Sequence, residues 1–352
     1  MLLGDLGADI VRIDRPGSSG VPSQVGVSRN RRSITLDLGH EQGKALAGEL
    51  VAGADVLVEG FRPGVMERLG FGPEPCLERN PGLIYARMTG WGQTGPLAQS
   101  GGHDLNYLAL TGALWAMGRA DEPPTPPLNL VADFGGGGTF LALGVLAALF
   151  ERTRSGQGQT IDVAMTDGAA ALSAYVRGLM RAGEWTPERA SNRLDGAAPY
   201  YDTYRTADHK FLAVGSSEPK FFAELLAGLE LDPAAFDQAD RATWPAQKAV
   251  IAARIATRTR DEWVERFENL DACVTPVLDW DEAPAHPHNV ERGTFVHDGT
   301  AVEPAPAPRF GRTPATRRLP PPEHGAHGDE ILAELGYDPS QISELRDSGA
   351  LG

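Results

Sequence analysis

The sequence predicts an α/β protein of two domains, on three observations. Strand-like and helix-like segments alternate in units of about thirty residues through the first third, the length of a strand–helix–strand crossover. Apolar helical segments fill the middle. Near residue 190 the composition shifts to short strands and short helices. At 352 residues the chain is also longer than one ordinary core holds.

Residues 9–13 read as a short buried strand, 39–51 as a helix with apolar positions at helical spacing, and 55–59 as the next strand. A short helix over 63–69 and a strand over 83–88 follow. This alternation argues for a parallel sheet with crossover helices. The loops after its strands carry Gly or Arg, at the edge where open α/β sheets bind ligands. Residues 105–117, 139–152 and 168–181 each predict a helix with a broad apolar face, and Pro123, Pro124, Pro126 and Pro127 break the first pair. Residues 200–204 and 211–214 read as a hairpin turning at Ala207, Asp208 and His209. Residues 273–277 read as a strand. Residues 302–322, rich in Pro and Arg, read as an extended return. Residues 329–335 form a terminal helix that Gly336 is placed to end. Residues 1–185, rejoined by 302–352, make a large domain, and 186–301 a small α/β domain with its linkers.

Hydrophobic residues are 41% and charged residues 22%, a globular composition. Asp and Glu total 47 against 32 Lys and Arg, a net charge of −15, which argues against a general nucleic-acid or membrane-surface role. The lysines are Lys44, Lys210, Lys220 and Lys248; the rest of the basic set is arginine, whose planar fork suits phosphate. Arg12, Arg15, Arg29, Arg31, Arg32, Arg62 and Arg68 all fall in the N-terminal fifth. Cys76 and Cys273 lie in unlike contexts, so the expectation is two buried thiols in a reducing compartment. Residues 1–9 have no basic n-region, and the longest apolar stretch, 139–150, is too short for a bilayer. A cytoplasmic enzyme is expected. His286-Pro287-His288 lacks partner ligands at suitable spacing and reads as a loop, so no metal is expected.

The most informative segments are Gly101-Gly102-His103-Asp104-Leu105-Asn106-Tyr107 and Asp133-Phe134-Gly135-Gly136-Gly137-Gly138. Each sets a titratable side chain where a loop enters an apolar helix, beside free backbone N–H groups. That arrangement suits moving a proton on and off a carbon next to a carbonyl, which needs titratable groups beside that carbon and donors for the enolate oxygen. His103, with an ordinary pKa of about 6.5, is one candidate, its neutral form favoured by the positive end of a helix. Asp133 is the other, its pKa raised by burial beside Phe134. The Asp104 backbone N–H is the candidate oxyanion donor. Either Asp alone would read as a helix cap. The four glycines read either as a flexible turn or as a place of close backbone or acyl approach. Trp91, Tyr107, Trp115, Tyr200 and Tyr201 are candidates for an acyl pocket, with core packing the better expectation for Trp115.

These segments, with Gly4-Asp5-Leu6-Gly7-Ala8-Asp9-Ile10-Val11-Arg12-Ile13, Arg29-Asn30-Arg31-Arg32-Ser33, Asp55-Val56-Leu57-Val58-Glu59-Gly60-Phe61-Arg62-Pro63-Gly64 and Arg87-Met88-Thr89-Gly90-Trp91-Gly92-Gln93-Thr94-Gly95-Pro96, resemble the family III CoA-transferase and α-methylacyl-CoA racemase superfamily over nearly the whole chain. Within it the sequence is most similar to the bacterial racemase branch. The resemblance implies a large Rossmann-like CoA domain, a small α/β domain and a homodimer of interlocked rings. It implies an acyl-CoA substrate, with CoA as part of that substrate and no separate cofactor. It supports His103 and Asp133 as the proton-transfer pair interconverting (2R)- and (2S)-2-methylacyl-CoA through an enolate. Glu218 matches a glutamate that orients the histidine from the small domain. CoA contacts are implied at Arg15, Leu36, Asp37, Leu38, Gly60, Phe61, Arg62, Arg68, Gly102, Leu105, Asn106 and Tyr107. Family members usually begin earlier, with a strand and a Gly/Pro-containing loop, whereas this chain starts inside the first helix of that pattern; a misplaced start is the expected reason.

The main rival is CoA transfer, in which an aspartate at the position of Asp104 attacks the acyl-CoA covalently. The resemblance implies that transferases lack the His103/Asp133 pair and carry a glycine-rich loop where this chain has Ser216-Ser217-Glu218-Pro219. A shortened CoA-binding member without activity is the other alternative. Branched fatty acyl, bile-acid-like and sterol side-chain thioesters all fit an apolar acyl pocket.

Overall fold

The structure, a computed structural model, describes residues 1–17, 26–299 and 301–352. Its contacts divide the chain into two compact units: residues 1–107, 129–169 and 287–352, and residues 108–128 and 170–286. The expected large domain ran to residue 185 and resumed at 302. In the structure, residues 108–128 and 170–185 go with the second unit, and the return begins at 287.

The first unit opens with α1 (Leu2–Asp5), β1 (Val11–Asp14), β2 (Arg32–Thr35), α2 (Glu41–Gly53), β3 (Val56–Glu59), α3 (Val65–Leu69), α4 (Pro73–Arg79) and β4 (Ile84–Thr89). Next come the first half of α5 (Asp104–Thr111), α6 (Phe140–Ser155), β5 (Gln159–Ala164) and the start of α7 (Met165–Leu172), the ends of α5 and α7 counting with the second unit. β1 pairs parallel with β2, and β3, β4 and β5 form a second parallel sheet with β4 central. Leu83, Ile84, Tyr85 and Ala86 are fully buried, the continuous run expected of a parallel strand covered on both faces. α2 starts at His40, whose Nδ1 accepts the Gln42 N–H, and buries Leu46, Ala47 and Val51 on the same core.

The helix expected over 105–117 ends at Thr111, and Gly112 takes a left-handed φ of 83° just after it. The apolar run expected over 139–150 is longer: Leu130–Thr139 is wound as a π-helix, with the Phe134 N–H donating to the Asn129 carbonyl, and runs straight into α6. The combined 26 residues are long and apolar enough, by length and composition, to cross a membrane, which corrects the sequence expectation. α6 packs on β4 and β5 and buries Val145 and Ala148. Gly136 and Gly137 are buried inside this run and form no flexible turn. A Cβ on Gly136 would stand 2.6 Å from the Ala169 nitrogen, so the glycine serves close backbone approach to α7.

The second unit holds α8 (Ala174–Arg181), β6 (Tyr201–Arg205), β7 (Phe211–Gly215), α9 (Pro219–Leu229), α10 (Trp244–Ile255), α11 (Arg260–Phe267) and β8 (Val274–Val277). β6, β7 and β8 form an antiparallel sheet, with the expected hairpin turning where His209 takes φ 61°. Its core gathers Tyr200, Phe222, Trp244, Ile251 and Trp263. Trp115 was expected in a core but is 57% exposed, its indole N–H donating to the Pro187 carbonyl and Arg189 stacked on its ring. Of the two thiols, Cys76 is buried and Cys273 is exposed.

The return to the first unit comprises α12 (Pro287–Arg292), the hairpin β9 (Phe295–Asp298) and β10 (Ala301–Pro304), α13 (Gly328–Glu334) and α14 (Pro339–Asp347). Gly336, at φ 94°, follows α13 as expected. α14 begins with a reciprocal cap between Asp338 and Gln341. Ile331, Leu332, Ile342, Leu345 and Leu351 close the first core over Ile34 and Leu36.

Candidate active site

The candidate site of the first unit is built from the ends of parallel strands and the starts of two helices. At the end of β4, a Cβ on Gly90 would fall 2.1 Å from the Tyr107 ring, so only glycine admits that ring. Tyr107 is buried, edge-on to Trp91 at 4.8 Å, and its hydroxyl donates to the Gly102 carbonyl. The loop before α5 is thereby tied down from its own helix. Asn106 completes the tie: its Oδ1 accepts the His103 N–H at 3.1 Å while its own N–H donates to the His103 carbonyl. His103 itself is exposed, at the mouth of this loop.

Asp104, the next residue, turns inward and is 3% exposed. Its Oδ2 accepts two backbone N–H groups, from Ala132 at 2.7 Å and from Asp133 at 2.8 Å. These are orphan donors at the start of the π-helical run, so one carboxylate caps that run from a different helix. Asp104 Oδ1 and Asp133 Oδ1 are buried with no hydrogen-bond partner. Burial first, and the Asp104 charge second, push the Asp133 carboxyl above the usual carboxylate range; His103 opposes them. His103 precedes Asp104 directly in the chain and Asp104 Oδ2 takes the Asp133 N–H, so the backbone brings the three residues to one place. Phe134, expected to bury Asp133, is itself 44% exposed.

The arginines separate into two groups. Arg29 is fully buried, forked onto Asp5 at 3.0 and 2.7 Å and bonded to the Pro304 carbonyl. Arg32 is held by Asp9, Glu330 and Glu334, and Arg12 by Asp14. Arg29 and Arg32 hold the N-terminal segment to itself and to the returning chain, and Arg12 is paired within its own strand. Arg15, Arg62 and Arg68 are exposed and make no ion pair among the described residues. Arg62 follows β3, and a Cβ on Gly101 would lie 3.6 Å from its Nη2, which brings the Gly60-Phe61-Arg62 loop beside the His103 segment. Gly60 and Phe61 are exposed there. Leu36 is a core residue paired with Leu351, and Asp37 closes its own turn onto the Gly39 N–H. Of that trio, Leu36 has no exposed side chain to offer a ligand. Leu105 and Asn106 are exposed and Gly102 half-buried, whereas Tyr107 is a packing residue.

The profile of CoA-transferase family III matches residues 1–328. The chain belongs to this family. The α-methylacyl-CoA racemase of Mus musculus is 48% identical over 348 residues, which cover 98% of this chain and 91% of that protein. The α-methylacyl-CoA racemase of Homo sapiens is 46% identical with the same coverage. Among solved structures, a CaiB/BaiF family protein from Brucella suis matches with a TM-score of 0.81 and 27% identity, covering 95% of this chain and 93% of that one. The mixed helix-and-sheet fold is therefore that of family III.

In this family III member, two candidate regions lie in the second unit. Glu218 is exposed and stands as the residue before α9, without a side-chain cap bond. A cavity of about 700 Å³ is lined by Met117, Arg119, Tyr201, Asp202 and Cys273. Of the other aromatic candidates, Tyr200 packs edge-on between Phe222 and Trp244 in the core. Among the described residues no group of three or more His, Cys, Asp or Glu is placed to hold a metal. Sequence reasoning weighed Asp104 as a cap but not as a cap of residues 132 and 133, and it missed the Arg87–Glu59 pair beneath the Arg62 loop. The charge alternation of Glu59, Glu67 and Arg87 was the available signal.

Proposed function

We infer that this chain racemises 2-methylacyl-CoA thioesters, taking the α-proton off one face and returning it to the other through an enolate. The observation that carries the reading is the Asp104 clamp, which holds Asp133, with its raised pKa, next to the His103 segment. A carboxyl held above the usual carboxylate range keeps a proton more readily than a free carboxylate, which suits a group that must both take and return one. The 48% identity to a protein named α-methylacyl-CoA racemase supports the same reading. His103 and Asp133 are proposed as the two bases, the Asp104 N–H as a donor to the enolate oxygen and Glu218 as the group that orients the imidazole. CoA is proposed to lie along Arg15, the Asp37–Leu38 turn, the Gly60-Phe61-Arg62 loop and Arg68, ending at Gly102, Leu105 and Asn106. We propose no separate cofactor and a cytoplasmic location.

Homodimerisation as interlocked rings is part of the proposal. Leu143, Leu146 and Phe150 repeat at helical spacing on α6 and are 61%, 47% and 62% exposed. Such an apolar stripe calls for a covering surface. Covalent CoA transfer through Asp104 is the weaker reading, because that carboxylate is buried and one of its oxygens already takes two N–H groups.

The test is to incubate a single epimer of a 2-methylacyl-CoA and follow its chirality, then repeat with an added free acid. Loss of optical purity without an acceptor supports racemisation. Retained chirality, with acyl-CoA of the added acid formed, would replace it by transfer.

A further inference from the structure

The loop proposed to meet the CoA nucleotide, residues 60–62, is underlain by a buried charged network outside the site described so far. Glu59 and Arg87 are cross-strand partners at the C-terminal ends of β3 and β4 and are 4% and 7% exposed. Arg87 Nε donates to Glu59 Oε1 at 2.7 Å. The other oxygen, Glu59 Oε2, accepts the Phe61 N–H at 2.8 Å, so the carboxylate folds the loop back over its own strand end. The far side of the same guanidinium forks onto Glu67 of α3, Nη1 at 2.8 Å and Nη2 at 3.3 Å. This fork holds the Glu67 carboxyl below the usual range. Glu67 is followed directly by the exposed Arg68. One guanidinium therefore ties down the backbone before Arg62 and the helix turn before Arg68.

A buried ion pair adds little stability over a well-packed apolar pair, so its presence in a sheet centre calls for a geometric reason. Here the reason is at hand. An apolar pair would close β3 on β4 equally well, yet it would leave the Phe61 N–H without its acceptor. Arginine rather than lysine is required, because three guanidinium nitrogens serve two carboxylates in one plane.

Granting the CoA reading above, we infer that Arg87, through Glu59 and Glu67, is a positioning residue that presets Arg62 and Arg68 for the CoA phosphates. It touches no substrate itself. Its contribution is preorganisation: ligand binding need not order the loop.

The experiment compares wild type with Arg87→Lys and Glu67→Gln. It measures Kd for free CoA, KM and kcat for the acyl-CoA, and the melting temperature with and without CoA. Glu67→Gln is the safeguard on folding, since Glu67 is 43% exposed and only the outer fork is cut. The expected result for Arg87→Lys is Kd and KM raised roughly tenfold, which is 1.4 kcal/mol of binding, with kcat the smaller change and a reduced CoA-induced rise in melting temperature. Glu67→Gln gives the same pattern at roughly threefold. Lowered melting temperatures with wild-type Kd, KM and CoA-induced rise in both variants would overturn the inference and leave Arg87 a core residue. A wild type that binds no CoA would instead overturn the functional reading on which it rests.

Discussion

Asp104 accepts the backbone N–H of Asp133 at 2.8 Å, and its charge helps lift the Asp133 carboxyl above the ordinary range. One side chain thus anchors the backbone of Asp133, the proposed second base, and adds to the effect that burial already has on its carboxyl.

The pH dependence follows with its sign. As a base, Asp133 must be ionised, so kcat/KM rises with pH through a value above the usual carboxylate range. Replacing Asp104 by Asn keeps an acceptor for the two N–H groups and removes the charge. One raising influence disappears, and the acid limb moves to lower pH. A pH–rate profile of Asp104→Asn with the wild-type acid limb would deny the coupling.

Stability and binding separate at the arginines. Arg29→Met leaves Asp5 charged and fully buried, and a loss of about 3–5 kcal/mol is expected, read by denaturant unfolding. Arg62→Met leaves unfolding as it was and weakens CoA roughly tenfold, with reduced salt dependence. Equal effects of both variants on CoA affinity would show that the arginines had been sorted wrongly.

Backbone proximity at Gly168 gives a third expectation. A Cβ there would stand 1.9 Å from the Gly136 carbonyl oxygen, with backbone on the other side of the clash. Gly168→Ala forces α7 away from the Asp133-bearing run. A loss of about 1–3 kcal/mol is expected, with a fall in exchange rate larger than the fall in folded fraction. Normal melting and normal rate would show that the two segments have room to part.

Strands 56–59 and 84–89 were legible, because they are short apolar runs that pair with each other across a short stretch of chain; β2 and β5 were not, since β5 reaches β4 from far along the sequence. His103 and Asp133 were legible as titratable groups at loop-to-helix junctions. The role of the Asp104 carboxylate was not, since a sequence offers its N–H and its side chain equally and only the fold sends one of them to residues 132 and 133. The partners of the arginines were hidden for a related reason: Arg29 finds Glu303 274 residues away and Arg32 finds Glu334 302 residues away. α14 carries its signature in Asp338, Pro339 and Gln341, a capping box with proline at the first helical position. Trp115 stayed exposed because the expected helix ends four residues before it.

The most direct measurement is α-deuterium incorporation from D2O into each pure epimer by wild type, His103→Ala and Asp133→Ala. Two bases on opposite faces predict that wild type exchanges and inverts both epimers. Each variant then inverts neither, yet still exchanges the α-hydrogen of the one epimer whose proton faces the surviving base, a different epimer in the two cases. Variants that both invert at near-wild-type rates, or that both exchange the two epimers equally, would contradict the assignment of His103 and Asp133.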